Sequence, residues 1–317
     1  MARQEVPEAI QAAAAARAEA RRARDWPTAD RLRAEIEAAG WKVVDAGVAY
    51  RLEPEHPADV AAGGETRHGR SDAVPSRFDE PATGLATAIV VAREDHDGAR
   101  RALAGLLAHA PDGVAAALVV DGLPDASAAG LGAAFAADPR VEVVRTSAPL
   151  GQGAALNIGL RRAGAPVVVV LDASVEPAGD VVTPLVEALD DPRVAIAGPF
   201  GLRTSDLRHF EESTEGPAAA IEGYLMAFRR ADAIERGPID EAFRFYRNLD
   251  VWWSLVLRDA GVGRPPRDAR VVTGLPVVRH EHVAWTATPL TERGRLSKRN
   301  FYRVLERFRD REDLASS

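Results

Sequence analysis

The stretch Pro166-Val167-Val168-Val169-Val170-Leu171-Asp172-Ala173-Ser174 decides the architecture. An apolar run without alternation predicts a central parallel strand covered on both faces. Asp172 follows at its carboxyl end. Ligands of open α/β sheets bind beyond the carboxyl ends of strands, so topology alone makes Asp172 a candidate site residue. Helix capping competes for it, but Ala173-Ser174-Val175-Glu176-Pro177 begins no helical pattern.

Upstream, short β-branched runs alternate with helical ones: residues 87–92 then 99–109, 116–120 then 127–137, 141–145 then 154–163. This alternation predicts crossover βαβ units. It also nominates two further strand ends, Asp121 and the segment Arg93-Glu94-Asp95.

Nearer the amino terminus, residues 10–24 and 28–39 are rich in Ala, Arg and Glu, broken by Trp26-Pro27 and ended by Gly40. They predict a helical hairpin, closed by a short strand and turn over 41–50. Residues 53–84 lack apolar periodicity and are dominated by Pro, Gly, Asp, His and Arg, the composition of a linker. The chain is thus expected to divide into a small helical domain (1–53), a linker (54–83) and an α/β domain (84–317).

A length of 317 residues with 46% hydrophobic and 27% charged residues suits two globular units. The net charge of -7 argues against nucleic acid as a partner, since phosphate binding needs clustered Lys and Arg. With no cysteine, any metal must sit on oxygen or imidazole. The alanine run 12–16 is hemmed in by Glu8, Arg17 and Glu19, so it is no export signal, and no apolar stretch approaches the ~20 residues of a membrane span. A cytoplasmic location is expected, with a peripheral contact to a membrane-bound acceptor left open.

Four motifs occur in order. They are the strand Thr87-Ala88-Ile89-Val90-Val91; Val119-Val120-Asp121-Gly122; the helix start Gly151-Gln152-Gly153-Ala154-Ala155-Leu156-Asn157; and Leu171-Asp172-Ala173-Ser174. Beyond them come Gly223-Tyr224-Leu225-Met226, Gly237-Pro238-Ile239-Asp240, Phe243-Arg244-Phe245-Tyr246 and Asp250. Together, residues 87–282 resemble the inverting glycosyltransferase family 2. The resemblance implies a GT-A-like nucleotide-binding α/β/α sandwich behind the N-terminal hairpin, and transfer from a nucleotide-diphosphate sugar to an acceptor that is a saccharide, a lipid-linked sugar or a small molecule. It assigns nucleotide-sugar contacts to Ala92, Arg93, Glu94, Asp121, Gly151, Gly153, Asn157, Asp172 and Ser174. It assigns a divalent cation, Mg²⁺ or Mn²⁺, to Asp172 with His280 and His282, and the general base to Asp250.

Two departures bear on the metal. Ser174 stands where the second carboxylate of Asp-x-Asp is usual, and Leu249 replaces the Glu of the common Glu-Asp pair. One carboxylate plus diphosphate oxygens and water still suffices for Mg²⁺. Glu176, two residues past Ser174, is a candidate compensating carboxylate, although a turn position before Pro177 is its plainer role. His280-Glu281-His282 follows a predicted strand, and alternation would turn both imidazoles to one side. Asp250, ahead of the apolar helix Val251-Trp252-Trp253-Ser254-Leu255, serves equally as an N-cap or a base, as Asn248 does as a cap. Most of the basic residues Arg293, Arg295, Lys298, Arg299 and Arg303 read as a solvated helix face, with Lys298 or Arg299 the alternative contact to a diphosphate or an anionic acceptor.

Three alternatives stand beside the transferase. Gly151-x-Gly153 with Asp172 about 20 residues on resembles a dinucleotide-binding fingerprint, but Leu156 occupies its sixth position. A catalytically silent nucleotide-binding relative is suggested by Ser174 and Leu249. Residues 10–50, with Arg21-Arg22-Ala23-Arg24-Asp25-Trp26, resemble the C-terminal helical element of cysteinyl-tRNA synthetases; this implies a module for protein contact or homo-oligomerisation more than for RNA, given its mixed charge.

Overall fold

The computed structural model describes residues 6–46, 49–261 and 263–315, and the chain separates into two compact units, Met1–Arg70 and Ser71–Ser317. In the first unit, α1 (Glu8–Arg22) and α2 (Trp26–Ala38) form the expected hairpin. Trp26 and Pro27 do not interrupt the helices; they open α2, whose N-cap Asp25 accepts from the Thr28 amide. Proline is tolerated there because its missing N–H would have had no helical partner. Strands β1 (Trp41–Ala46) and β2 (Ala49–Pro54) pair antiparallel, and Ala14, Ile36 and Trp41 are buried together. Arg17, also buried, reaches Asp45 on β1 at 3.0 Å. Strands β3 (Val60–Ala62) and β4 (Glu65–Arg67) complete this unit.

The stretch 54–83 therefore differs from the expected linker. Its first part carries β3 and β4, and residues 71–83 belong to the second unit, where Val74 is buried against Val119, Leu150 and Ile158. The carbonyls of Val74, Pro75 and Arg77 accept from Arg161, Arg162 and Arg230. Segments tied down by backbone-to-arginine bonds need no apolar stripe, and so carry no periodic signal.

The second unit runs β5 (Ala86–Ala92), α3 (His96–His109), β6 (Val114–Val120), α4 (Asp125–Phe135), β7 (Val141–Arg145), α5 (Gln152–Arg162), β8 (Val167–Leu171), β9 (Val175–Pro177), α6 (Val182–Ala188) and β10 (Val194–Gly198). It continues through β11 (Gly201–Arg203), β12 (Glu211–Ser213), β13 (Pro217–Ala218), β14 (Ala220–Ile221), β15 (Leu225–Arg229), α7 (Arg230–Arg236), α8 (Leu249–Arg258), β16 (Asp268–Val271), β17 (Val277–Arg279), α9 (Val283–Ala287) and α10 (Leu290–Phe308). The main sheet has the order β13-β16-β10-β15-β8-β5-β6-β7. β5, β6, β7 and β8 are parallel, whereas β15 runs antiparallel to both β8 and β10.

Alternate residues of β8 enter opposite cores. Val168 and Val170 join Ile89, Phe228 and Trp253 on one face, and Val167, Val169 and Leu171 join Leu103, Leu106 and Leu185 on the other. This two-sided burial is the reason every position of that strand is apolar. The chain winds from β5 outward to β6 and β7, and the crossover through α5 then returns past them to β8 on the other side of β5, which opens a crevice at the carboxyl ends of β5 and β8. Because β15 is reversed, its start at Leu225 pairs with Leu171, and the residues just before it arrive at the same crevice.

Candidate functional site

Asp172 leaves β8 at the crevice and is held from three sides. Its Oδ1 accepts from the Ser174 amide at 2.9 Å and the Ser174 hydroxyl at 2.5 Å, while Oδ2 faces His282 Nε2 at 3.6 Å. Burial alone would push the Asp172 carboxyl up, but His282 and the two Ser174 donors outweigh it and hold it below its ordinary value. His282 moves the other way. Burial would lower its imidazole, and the facing Asp172 carboxylate raises it above the usual histidine value. Its Nδ1 accepts from the Trp285 amide, capping α9, and its ring stacks on Tyr246 with centroids 4.0 Å apart.

His282 Nε2 is buried without a hydrogen-bond partner, 3.6 Å from a carboxylate oxygen. Two ligands at adjacent corners of an octahedral cation, each about 2.1 Å from it, lie about 3 Å apart, so this pair fits a divalent ion with a small closure. No third His, Asp or Glu joins them among the described residues. His280 does not. The alternation expected to bring both histidines together ends with β17 at Arg279; beyond it the His280 amide bonds the Ser174 carbonyl, and its Nε2 pairs with Glu176 at 2.8 Å. Glu176 is thereby engaged away from Asp172, with Arg101 at 3.7 Å.

Asp250 lies in the first turn of α8, not at its cap. Asn248 is the N-cap residue, in a left-handed conformation with φ 66°, and its side chain donates to the Ser297 carbonyl without capping the helix. Asp250 accepts from the Gly223 and Val251 amides, each at 2.9 Å. Burial pushes its carboxyl above the ordinary aspartate value, against the pull of those two amides and of Arg247. Leu249 is buried in the core, where a carboxylate would be stranded.

Two hollows adjoin at Asp172. One is lined by Asp250, Glu222, Tyr224 and Arg247, the other by Arg93, Glu94, Asp95 and Ser174; Gln152, Asp172, Tyr246 and His282 line both. Glu222 and Arg247 lie in no motif quoted above, and Gln152 and Tyr246 lie in motifs that give them no role of their own. Glu222 is pushed above its ordinary value by burial and then by Asp250.

Several residues assigned to the nucleotide are otherwise employed. Ala92 is buried and its carbonyl accepts from the Asp121 amide. Asp121 uses its four acceptor positions on Thr146, Leu150, Gly151 and Arg93, at 2.7 to 3.2 Å. Asn157 pins Ile239 through both its amide and its carbonyl, each at 2.9 Å. The amides of Gln152 and Gly153, which a phosphate would need, donate to the carbonyls of Arg244 and Phe243. A Cβ at Gly151 would lie 2.9 Å from Arg244 Cα, and one at Gly153 would lie 2.7 Å from the Asp240 carbonyl. These glycines admit a protein loop, and the amino end of α5 is closed to a dinucleotide.

A doubly wound sheet with β15 and β13 reversed, carrying a strand-end aspartate between two hollows, is a nucleotide-sugar type of α/β fold. The model of glycosyl transferase family 2 matches residues 87–247, and the chain belongs to that family. The structure of GalNAc-T7 with UDP, GalNAc and Mn²⁺ matches with a TM-score of 0.57 and 16% identity over 73% of this chain and 49% of its own. The mannosyltransferase PcManGT from Pyrobaculum calidifontis, in complex with GDP-Man and Mn²⁺, matches with a TM-score of 0.50 and 19% identity over 74% of this chain and 67% of its own. This chain thus spans about half the length of the GalNAc-T7 structure. A search of curated proteins finds no match. Among the described residues no helix is long and apolar enough to cross a membrane.

Proposed function

We propose that the second unit transfers a hexosyl group from a nucleotide-diphosphate sugar to an acceptor hydroxyl with inversion. One observation carries this reading: a half-buried carboxylate, Asp250, held by the Gly223 and Val251 amides, faces a hollow that meets a second hollow at Asp172 and His282. The donor fits the hollow of Arg93 to Asp95. The acceptor fits that of Asp250.

The acceptor oxygen attacks the anomeric carbon, the bond from that carbon to the diphosphate oxygen breaks, and the hydroxyl proton passes to Asp250. A base tuned upward toward neutral pH takes that proton more readily than an ordinary aspartate. Asp172 and His282 would hold the cation, which supplies Lewis-acid stabilisation of the departing diphosphate. Support for that ligand class comes from UDP and GDP-Man with Mn²⁺ in the two similar structures.

The test is thermal stabilisation by UDP, GDP and their sugars with and without Mn²⁺, followed by transfer assays with the nucleotide that binds. Metal-dependent stabilisation and transfer are expected. Stabilisation by NAD alone would overturn the proposal, and binding without transfer across a broad acceptor panel would mark a silent relative.

A further inference from the structure

The proposed reaction leaves two guanidinium groups without a task, Arg247 in the lining of the Asp250 cleft and Arg279 over Tyr224, which lines it. Arg279, the last residue of β17, lies over the rings of Tyr224 and Phe200, with Cζ 4.1 and 4.6 Å from their centroids. Arg247, just ahead of α8, lines the cleft and lies over Trp285 at 5.5 Å. Both are exposed, and both act through space on Glu222. Among the described residues neither guanidinium makes a hydrogen bond or ion pair, and Glu222 is within ion-pair distance of neither.

Several other arginines of this unit are engaged differently, although Arg307 also lies over aromatic rings, those of Trp252 and Phe308. Arg229 donates to the carbonyls of Leu189, Asp191 and Val194, Arg303 to Asp240, and Arg311 to Asp259 and Asp313. Arg247 and Arg279 instead rest over aromatic rings, which leaves their N–H edges without a partner among the described residues. Such edges match the paired oxygens of a phosphate or carboxylate. The donor diphosphate is the wrong claimant, because Arg247 lines the hollow of Asp250 and not that of Arg93 and Asp95.

We infer that Arg247 and Arg279 form an anion-recognition pair for the acceptor, which carries a phosphate or carboxylate besides the hydroxyl that faces Asp250. This inference rests on the transferase reading for the word acceptor, and on the cleft alone for the anion. The two guanidinium groups offset the repulsion that Glu222 and Asp250 exert on a negative group.

Calorimetry on the full chain tests it, with Mg²⁺ and whichever of UDP or GDP binds held at saturation. Inorganic phosphate, glycerol 3-phosphate, glycerate and glycerol are then titrated in turn. Binding of phosphate and of at least one anionic probe, but not of glycerol, is expected, and glycerol 3-phosphate against glycerate distinguishes the two anions. Arg247→Gln and Arg279→Gln should each weaken that binding about tenfold, Arg279→Lys less, with nucleotide affinity unchanged within about twofold. The inference is overturned if wild type binds no anion, if the Gln variants bind equally well, or if nucleotide displaces the phosphate. Should no nucleotide bind, the transferase reading fails, while the same titration on the unliganded chain still decides the arginine pair.

Discussion

The imidazole of His282 lies on the ring of Tyr246 with centroids 4.0 Å apart and only 19° between planes. This stack fixes the imidazole plane, so that Nε2 looks at Asp172 while Nδ1 takes the Trp285 amide. Both rings line both hollows and form the wall between them.

From that geometry the two histidines should separate cleanly. His282→Ala is expected to weaken Mn²⁺-dependent nucleotide binding by about tenfold or more, as loss of a metal-site group does. His280→Ala, which removes only the contact to Glu176, should change it by less than about twofold. Calorimetry with and without Mn²⁺ measures both, and equal losses would return His280 to the site.

Asp250→Asn keeps the size of the side chain but not the proton acceptor. Transfer should fall by a factor on the order of 10² or more with donor affinity retained. The raised carboxyl also sets a sign for stability. A group whose folded-state pKa exceeds its unfolded value stabilises the fold below the unfolded value, and that contribution is lost as pH rises through the folded value. Acidification through the aspartate range should therefore raise the melting temperature of wild type relative to the Asn variant. The opposite drift would show that Asp250 is not raised.

Asn157→Ala should unfold the protein earlier without touching the ligand. Losing the bonds to Ile239 leaves buried backbone groups unpaired at about 1–3 kcal/mol, or several degrees in melting temperature for a unit of this size. Gly153→Ala should behave likewise, because the Asp240 carbonyl must move. A variant with unchanged stability but weakened nucleotide binding would place Asn157 back among the ligand contacts.

Truncation locates the working boundary. A chain starting at Ser71 should fold and bind nucleotide, whereas one starting at Gly84 should be markedly less stable, since it discards buried Val74 and the carbonyls held by Arg161, Arg162 and Arg230. Thermal melts of the two truncations decide this. Equal stability would restore the linker to its full expected length.

What the sequence discloses follows from the range of the forces involved. Strand β8 and Asp172 are legible because burial on both faces imposes an unbroken apolar run, and β7 falls on the expected residues 141–145. Helix α3 begins three residues before its apolar pattern, its polar first turn being held by the Asp95 cap at Gly98. The segment 198–216, without a decipherable code, holds β11 and β12 of a small sheet and brings Leu202 and Phe210 to the cleft. Glu222 and Arg279 come to the site through the reversed β15 and the β9–β17 pairing, which leave no local periodicity. Gly151, Gly153 and Asn157 look like a phosphate-binding helix start because the loop that covers them lies far along the chain.

That covering loop changes what a familiar piece of architecture means. A strand, a pair of glycines and a helix make an open socket when the first helical amides face solvent, and a pyrophosphate fills it. Here the carbonyls of Phe243 and Arg244 are an internal plug, the chain serving as its own anion mimic. In the hollow of Arg93 to Asp95 positive potential then rests on Arg93 and, on the proposed reading, on the cation that Asp172 and His282 would hold, so donor occupancy would track the supply of divalent metal in the surrounding medium. Loop replacement between residues 239 and 244, more than any change to the glycines, is the edit that would reopen the socket.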